Sequence, residues 1–127
     1  MHVVDSSGWL EYFANGENAD FFAEPLADTP ALIVPAISIF EVFKRVLMPR
    51  DEASALKAAA LMQAGKVVPL DESLAMMAAK LSHELKLPVA DSIMLATARQ
   101  FEAVLWTQDA DFLGVPGVRY VAKVARG

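Results

Sequence analysis

Hydrophobic residues follow two rhythms along this chain. Short unbroken apolar runs alternate with longer stretches in which apolar residues recur every three or four positions. The first rhythm marks strands buried on both faces, and the second marks helices that bury one stripe. "HVVD" at the start, "ALIVP" and "AVLW" are the apolar runs. "KVVPL" adds a short extended piece, and "GVRYVAKV" supplies a last strand.

The helical stretches lie between them. In "SSGWLEYFANG", Ser6 or Ser7 is placed to cap a helix that carries Trp9, Leu10, Tyr12 and Phe13, and Gly16 is placed to end it. "ENADFFAEPLAD" reads as a second short helix disturbed by Pro25. "SIFEVFKRVLM" repeats Ile39, Phe40, Phe43, Val46 and Leu47 at helical spacing until Pro49. "DEASALKAAALMQAG" is an alanine-rich helix closed by Gly65, and "DESLAMMAAKLSHELKL" one capped by Asp71 or Ser73. Pro88 separates it from "LPVADSIMLATARQ". Strands alternating with helices in a chain without repeats or a linker predict a three-layer α/β/α sandwich around a short, mostly parallel sheet, as one domain over residues 1–127.

The helix of "LPVADSIMLATARQ" poses a chemical problem. Ile93, Met94, Leu95, Ala96 and Ala98 make it apolar on nearly every side, so it is expected to be buried. Asp91 sits at its head, and a buried carboxylate is costly unless it is paired, hydrogen-bonded or bound to a metal. In an open parallel sheet, ligands bind beyond the carboxyl ends of the strands. Asp5 follows the first strand, Glu41 lies early in the helix after the second, and Asp109 and Asp111 follow "AVLW". All are placed to meet Asp91 at that edge, where hard divalent cations favour oxygen ligands.

Each acid also has a purely structural explanation. Asp5 and Asp91 can be helix caps, and Ser38-Ile39-Phe40-Glu41 fits a capping box. Asp109 and Asp111 can be turn residues. Capping gives no reason, however, for so many acids to coincide at one sheet edge in a chain that is 55% hydrophobic.

Composition narrows the choice. There is no cysteine, so disulfides and thiolate metal sites are excluded. His2 and His83 have no ligand-like spacing, and Met62, Met76, Met77 and Met94 read as core filler. No nucleophile elbow, dinucleotide fingerprint or Walker loop is present. No apolar run approaches the roughly 20 residues that span a bilayer, and no signal peptide is visible, so a cytoplasmic protein without membrane association is expected. The net charge of −5 argues against a surface broadly given over to nucleic acid, although carboxylates gathered to bind cations lower the total themselves.

Four segments in order, "VVDSSGWLEYF", "SIFEVFKRVL", "LPVADSIMLATA" and "LWTQDADF", carry a resemblance that runs nearly end to end. The chain resembles PIN-domain ribonucleases, in particular the VapC-like toxins of type II toxin–antitoxin pairs. The resemblance implies a PIN-like fold, magnesium- or manganese-dependent endoribonuclease activity on RNA, a homodimer and a cognate VapB-like antitoxin. It implies that Asp5, Glu41 and Asp91 are catalytic metal ligands, with Asp109 in a more variable fourth position and Asp111 a less certain contributor. Ser6 and Thr107 match supporting polar positions. Lys44, Arg45, Arg50 and Arg99 are candidate RNA contacts, each with a solvated helix face as the plain alternative. Trp9, Tyr12, Phe13, Phe21 and Phe22 include core residues but also offer a groove for an amphipathic antitoxin helix. "SIFEVFKRVLMP" and "ASALKAAALM" offer a dimer contact. Two other readings stay open: a noncatalytic PIN-like binding module, and a receiver-type phosphoacceptor domain, though "LWTQDADF" puts acids where a receiver needs lysine.

Overall fold

The structure, a computed structural model, describes residues 1–124. Five parallel strands form the sheet: β1 (His2–Val4), β2 (Leu32–Pro35), β3 (Lys66–Val68), β4 (Val104–Thr107) and β5 (Val118–Tyr120), in the order β3-β2-β1-β4-β5. Six α-helices connect them: α1 (Ser6–Phe13), α2 (Ala19–Ala27), α3 (Ala36–Leu47), α4 (Glu52–Met62), α5 (Glu72–Leu85) and α6 (Val89–Gln100). The expected α/β/α sandwich is present. Its sheet is parallel throughout the described residues, and the last strand is shorter than "GVRYVAKV" suggested.

The unbroken apolar runs are explained by burial of both sheet faces. Val3, Ile33 and Leu105 point to a core shared with Leu74, Ala78 and Leu81 of α5 and with most of α6. Val4, Leu32, Val34 and Trp106 point the opposite way, toward Trp9, Phe22, Val42 and Met62 of α1–α4. Alternate residues of one strand thus feed two cores.

Strand order fixes where a ligand can sit. The chain moves outward from β1 to β2 and β3, then returns to the other side of β1 with β4. The switch in direction lies between β1 and β4, and it opens a crevice beyond their carboxyl ends. A receiver-like order places β1 between β2 and β3. Here β1 lies between β2 and β4, which removes that reading.

Several local expectations are corrected. Asp5, not Ser6 or Ser7, caps α1 by accepting from the Gly8 N–H. The Ser38–Glu41 capping box does not form. Helix α3 starts two residues earlier than Ser38, with Pro35 at its N-cap, and the Ser38 hydroxyl donates instead to the Pro35 carbonyl at 2.6 Å. Asp91 is the third residue of α6, whose N-cap is Pro88, so it is not a cap either. Asp71 does cap α5. Helix α1 ends at Phe13, and Asn15 rather than Gly16 takes the left-handed conformation beyond it. The alanine stripe of α4 is used within the chain, with Ala55, Ala58, Ala59 and Met62 buried. Met62 and Met94 are core residues, whereas Met76 and Met77 are exposed.

The exact seat of α1 depends on Gly8. A Cβ there would lie 2.6–2.7 Å from the Phe22 ring and the Val4 side chain, both of which are fully buried. Neither can yield cheaply in a packed core. Gly8→Ala is expected to destabilise the protein by roughly 1–3 kcal/mol, the usual cost of overpacking. Urea unfolding of the two proteins checks this.

Candidate metal centre

Asp5 leaves the end of β1 directly into α1. Its backbone N–H continues the sheet by donating to the Trp106 carbonyl at 3.1 Å. The residue is only 2% exposed. One oxygen accepts from the Ser7 hydroxyl at 2.8 Å and the Gly8 N–H at 2.9 Å, and the other from the Thr107 hydroxyl. Burial nevertheless pushes its pKa up to about 6, with the nearby Asp109 adding to the rise. The helix-cap explanation of Asp5 is therefore correct and insufficient: a cap needs no such burial.

Thr107 closes β4 and serves two acids at once. Its hydroxyl donates to Asp5 and accepts from the Asp109 N–H at 2.9 Å. Asp109 in turn caps a short 3-10 turn over Ala110–Phe112 by accepting from the Asp111 N–H. Glu41, in the second turn of α3, accepts a 2.6 Å bond from the Ser6 hydroxyl. Ser6 and Thr107 thus hold Glu41 and Asp5 in place from neighbouring elements.

Asp91 enters from α6. Its carboxyl is half-buried, and its pKa is raised to about 7, first by desolvation and then by the charges of Asp109, Asp5, Asp111 and Glu41. The four other acids are thus near enough to act on it. Asp91, Asp109 and Asp111 each present a carboxylate oxygen within 4.8 Å of the others. Asp111, given a minor place on sequence grounds, stands in this tightest group. Asp5 and Glu41 line the same cavity of about 720 Å³ with Asp91 and Asp109. A set of carboxylate oxygens that repel one another suits a hard divalent cation such as magnesium or manganese.

The cationic candidates separate. Lys44 and Arg45 line the cavity. Arg99 does not, because it lies in the last turn of α6, at the opposite end from Asp91. Arg50 follows the end of α3 and does not line it either. Two contributors escaped the sequence reading. Lys123, beyond β5, brings a third cation to the cavity wall. Gln108 is buried between Thr107 and Asp109. It accepts from the Asn18 side chain at 3.0 Å and donates to the Ser7 carbonyl at 3.4 Å, joining the turn after β4 to α1 and α2. Its place inside the polar turn "TQDADF" was the available signal. Of the early aromatics, Trp9 and Phe22 are core, and only Tyr12 is substantially exposed.

A PIN domain family model matches residues 2–118, so the chain belongs to the PIN domain family. Among solved structures, a toxin–antitoxin complex from Klebsiella pneumoniae contains a chain that superposes with TM-score 0.80 at 23% identity, covering 94% of this chain and 96% of that one. VapC20 of Mycobacterium tuberculosis, a Sarcin-Ricin loop cleaving toxin, gives TM-score 0.74 at 17% identity, covering 91% and 95%. The DNA-bound VapBC of Salmonella typhimurium gives 0.72 at 15%, covering 95% and 96%. At these identities the likeness is one of fold. No curated protein matches the chain in sequence. No helix among the described residues is long and apolar enough to cross a membrane.

The raised carboxyl groups fix a pH dependence. Asp5 and Asp91 titrate near 6 and 7 in the folded chain, against 3.8 for an unperturbed carboxyl. Between those values the folded state holds more protons than the unfolded state, so stability falls as pH rises from about 4 to about 7. In chelator, the protein is expected to melt at a higher temperature at pH 5 than at pH 7.5. Asp91→Asn should flatten that difference in thermal scans.

Proposed function

We propose that this chain is a metal-dependent endoribonuclease and the toxin of a toxin–antitoxin pair. The observation that carries the reading is the gathering of Asp91, Asp109 and Asp111, with carboxylate oxygens within 4.8 Å of one another, beside Asp5 and Glu41 at the switch point of a PIN fold. Asp5, Glu41, Asp91 and Asp109 are the proposed ligands and catalytic acids, with Asp111 beside them. Magnesium or manganese held there supplies charge to offset that of the phosphate and lowers the pKa of water for attack. The chain's own residues do the rest. Ser6 and Thr107 fix two carboxylates, while Lys44 and Arg45 place positive charge for RNA phosphates at the rim. A noncatalytic binding module has less support, since none of the acids that the resemblance assigns is lost from the sequence and Asp5, Glu41, Asp91 and Asp109 line one cavity.

The partner reading rests on the same fold. The Klebsiella pneumoniae and Salmonella typhimurium neighbours are toxin–antitoxin assemblies, and a VapB-like antitoxin is proposed here too. Tyr12 on α1 offers an exposed aromatic contact, and the acidic cleft can accept an arginine or lysine in place of metal. A homodimer is proposed as well, through the C-terminal end of α3 and the outer face of α4, where Met48, just beyond α3, and Leu56 and Leu61 are exposed.

Metal binding should stabilise the folded chain by about 2.7 kcal/mol at a hundredfold excess over Kd. Asp91→Asn should remove most of that gain, and Glu41→Gln should abolish RNA cleavage while leaving the fold intact. Thermal melts with manganese and cleavage of total RNA check both. Equal metal response in wild type and Asp91→Asn would defeat the site assignment. For self-association, light scattering should give twice the chain mass of 13.7 kDa.

A further inference from the structure

Helix α3 buries only part of the apolar stripe that its sequence carries. Val42 is fully buried and Ile39 and Val46 pack against the same core, but Phe40 is 61% exposed. Phe40, Lys44 and Leu47 follow one another at helical spacing along the outer face, where Leu47 is also exposed. Phe40 is the residue next to Glu41, and it lines the acidic cavity. Packing in the chain's own core does not use this ring, and it borders the proposed site of phosphate chemistry.

We propose that Phe40 is a stacking platform for an unpaired base beside the scissile phosphate, and so a residue that positions single-stranded RNA at the acidic cleft. This rests on the nuclease reading of the acidic cleft. Lys44 lies four residues further along the same helix face, roughly one 5.4 Å turn away, and also lines the cavity. An aromatic face and a cation at that interval fit the two chemistries of one nucleotide, its base and its phosphate. Single-stranded nucleic acids are bound by this combination of stacking surface and positive charge. Lys123 stands in the wall of the same cavity and gives a second phosphate contact for the strand as it crosses the carboxylates. A protein partner would be served by the apolar side chains alone. The association of the ring with a cation inside the carboxylate cavity favours RNA.

The test is binding rather than turnover. Unpaired RNA oligonucleotides carrying one 2-aminopurine, moved position by position, are titrated with the protein in calcium at low salt. Fluorescence should be quenched at one or two positions by the wild type and by Phe40→Trp. Phe40→Ala should bind about 5- to 150-fold more weakly, the range that stacking of a single base covers, and should lose the quench. Phe40→Leu should bind like Phe40→Ala, because it keeps apolar area but has no π-face. The melting temperature of each variant confirms folding. Equal binding by wild type and Phe40→Ala, or full binding by Phe40→Leu, would overturn the platform. So would unchanged RNA binding with loss of a helical protein partner, which would assign the ring to a protein interface. Quenching that depends on Phe40 without any cleavage in manganese would instead overturn the nuclease reading and leave the platform standing.

Discussion

Mutual repulsion among carboxylates is the constraint around which this molecule is arranged. Asp5, Glu41, Asp91, Asp109 and Asp111 come from four different parts of the chain, and no cation of the protein pairs with them among the described salt bridges. Each is kept in place by something other than charge. Asp5 is locked between the Gly8 N–H and two hydroxyls, Glu41 is held by Ser6, and Asp109 is tied through its backbone to Thr107. Asp91 has only its helix. Desolvation first, and then the charges of the other four acids, raise its pKa to about 7.

Such a site costs stability, and the fold offsets that cost with apolar burial on both sheet faces. Val3 and Val4, adjacent in β1, are each fully buried in a different core. The strand that presents Asp5 is thus anchored from above and below immediately before the acid appears. Gly8 allows α1 to approach Val4 and Phe22 closely, which brings Ser6 within bonding distance of Glu41. Hydrophobic packing here has a chemical consequence: it sets the spacing of hydroxyls and carboxylates that would otherwise separate.

Hydroxyl groups give the arrangement its precision. Thr107 joins β4 to β1 through one oxygen that donates to Asp5 and accepts from the Asp109 backbone. Gln108 and Asn18 extend the tie to α2 and to the Ala122 carbonyl beyond β5. A buried network of this kind favours one arrangement, since breaking any member leaves a polar group without a partner.

The sequence by itself determined the layer architecture, because unbroken apolar runs and three-to-four periodicity each have one physical solution in a chain of this length. It also marked Asp91, since a carboxylate in an all-round apolar helix needs an explanation beyond local structure. Asp5, Glu41 and Asp109 were legible as acids following strands or opening helices. Their spacing along the chain could not distinguish caps from ligands, and for Asp5 and Asp109 capping is indeed part of the answer. Only tertiary structure decided the rest. The strand order puts β1 beside β4, which turns residues about a hundred positions apart into neighbours. The same folding draws Asp111 into the tightest group and Lys123 into the cavity, and leaves Arg99 at the far end of its helix. Phe40 shared the apolar spacing of its helix with Ile39, Phe43, Val46 and Leu47, but periodicity says which residues share a face, not which face the neighbouring helices cover. That choice depends on partners distant in sequence, and local pattern carries no information about them.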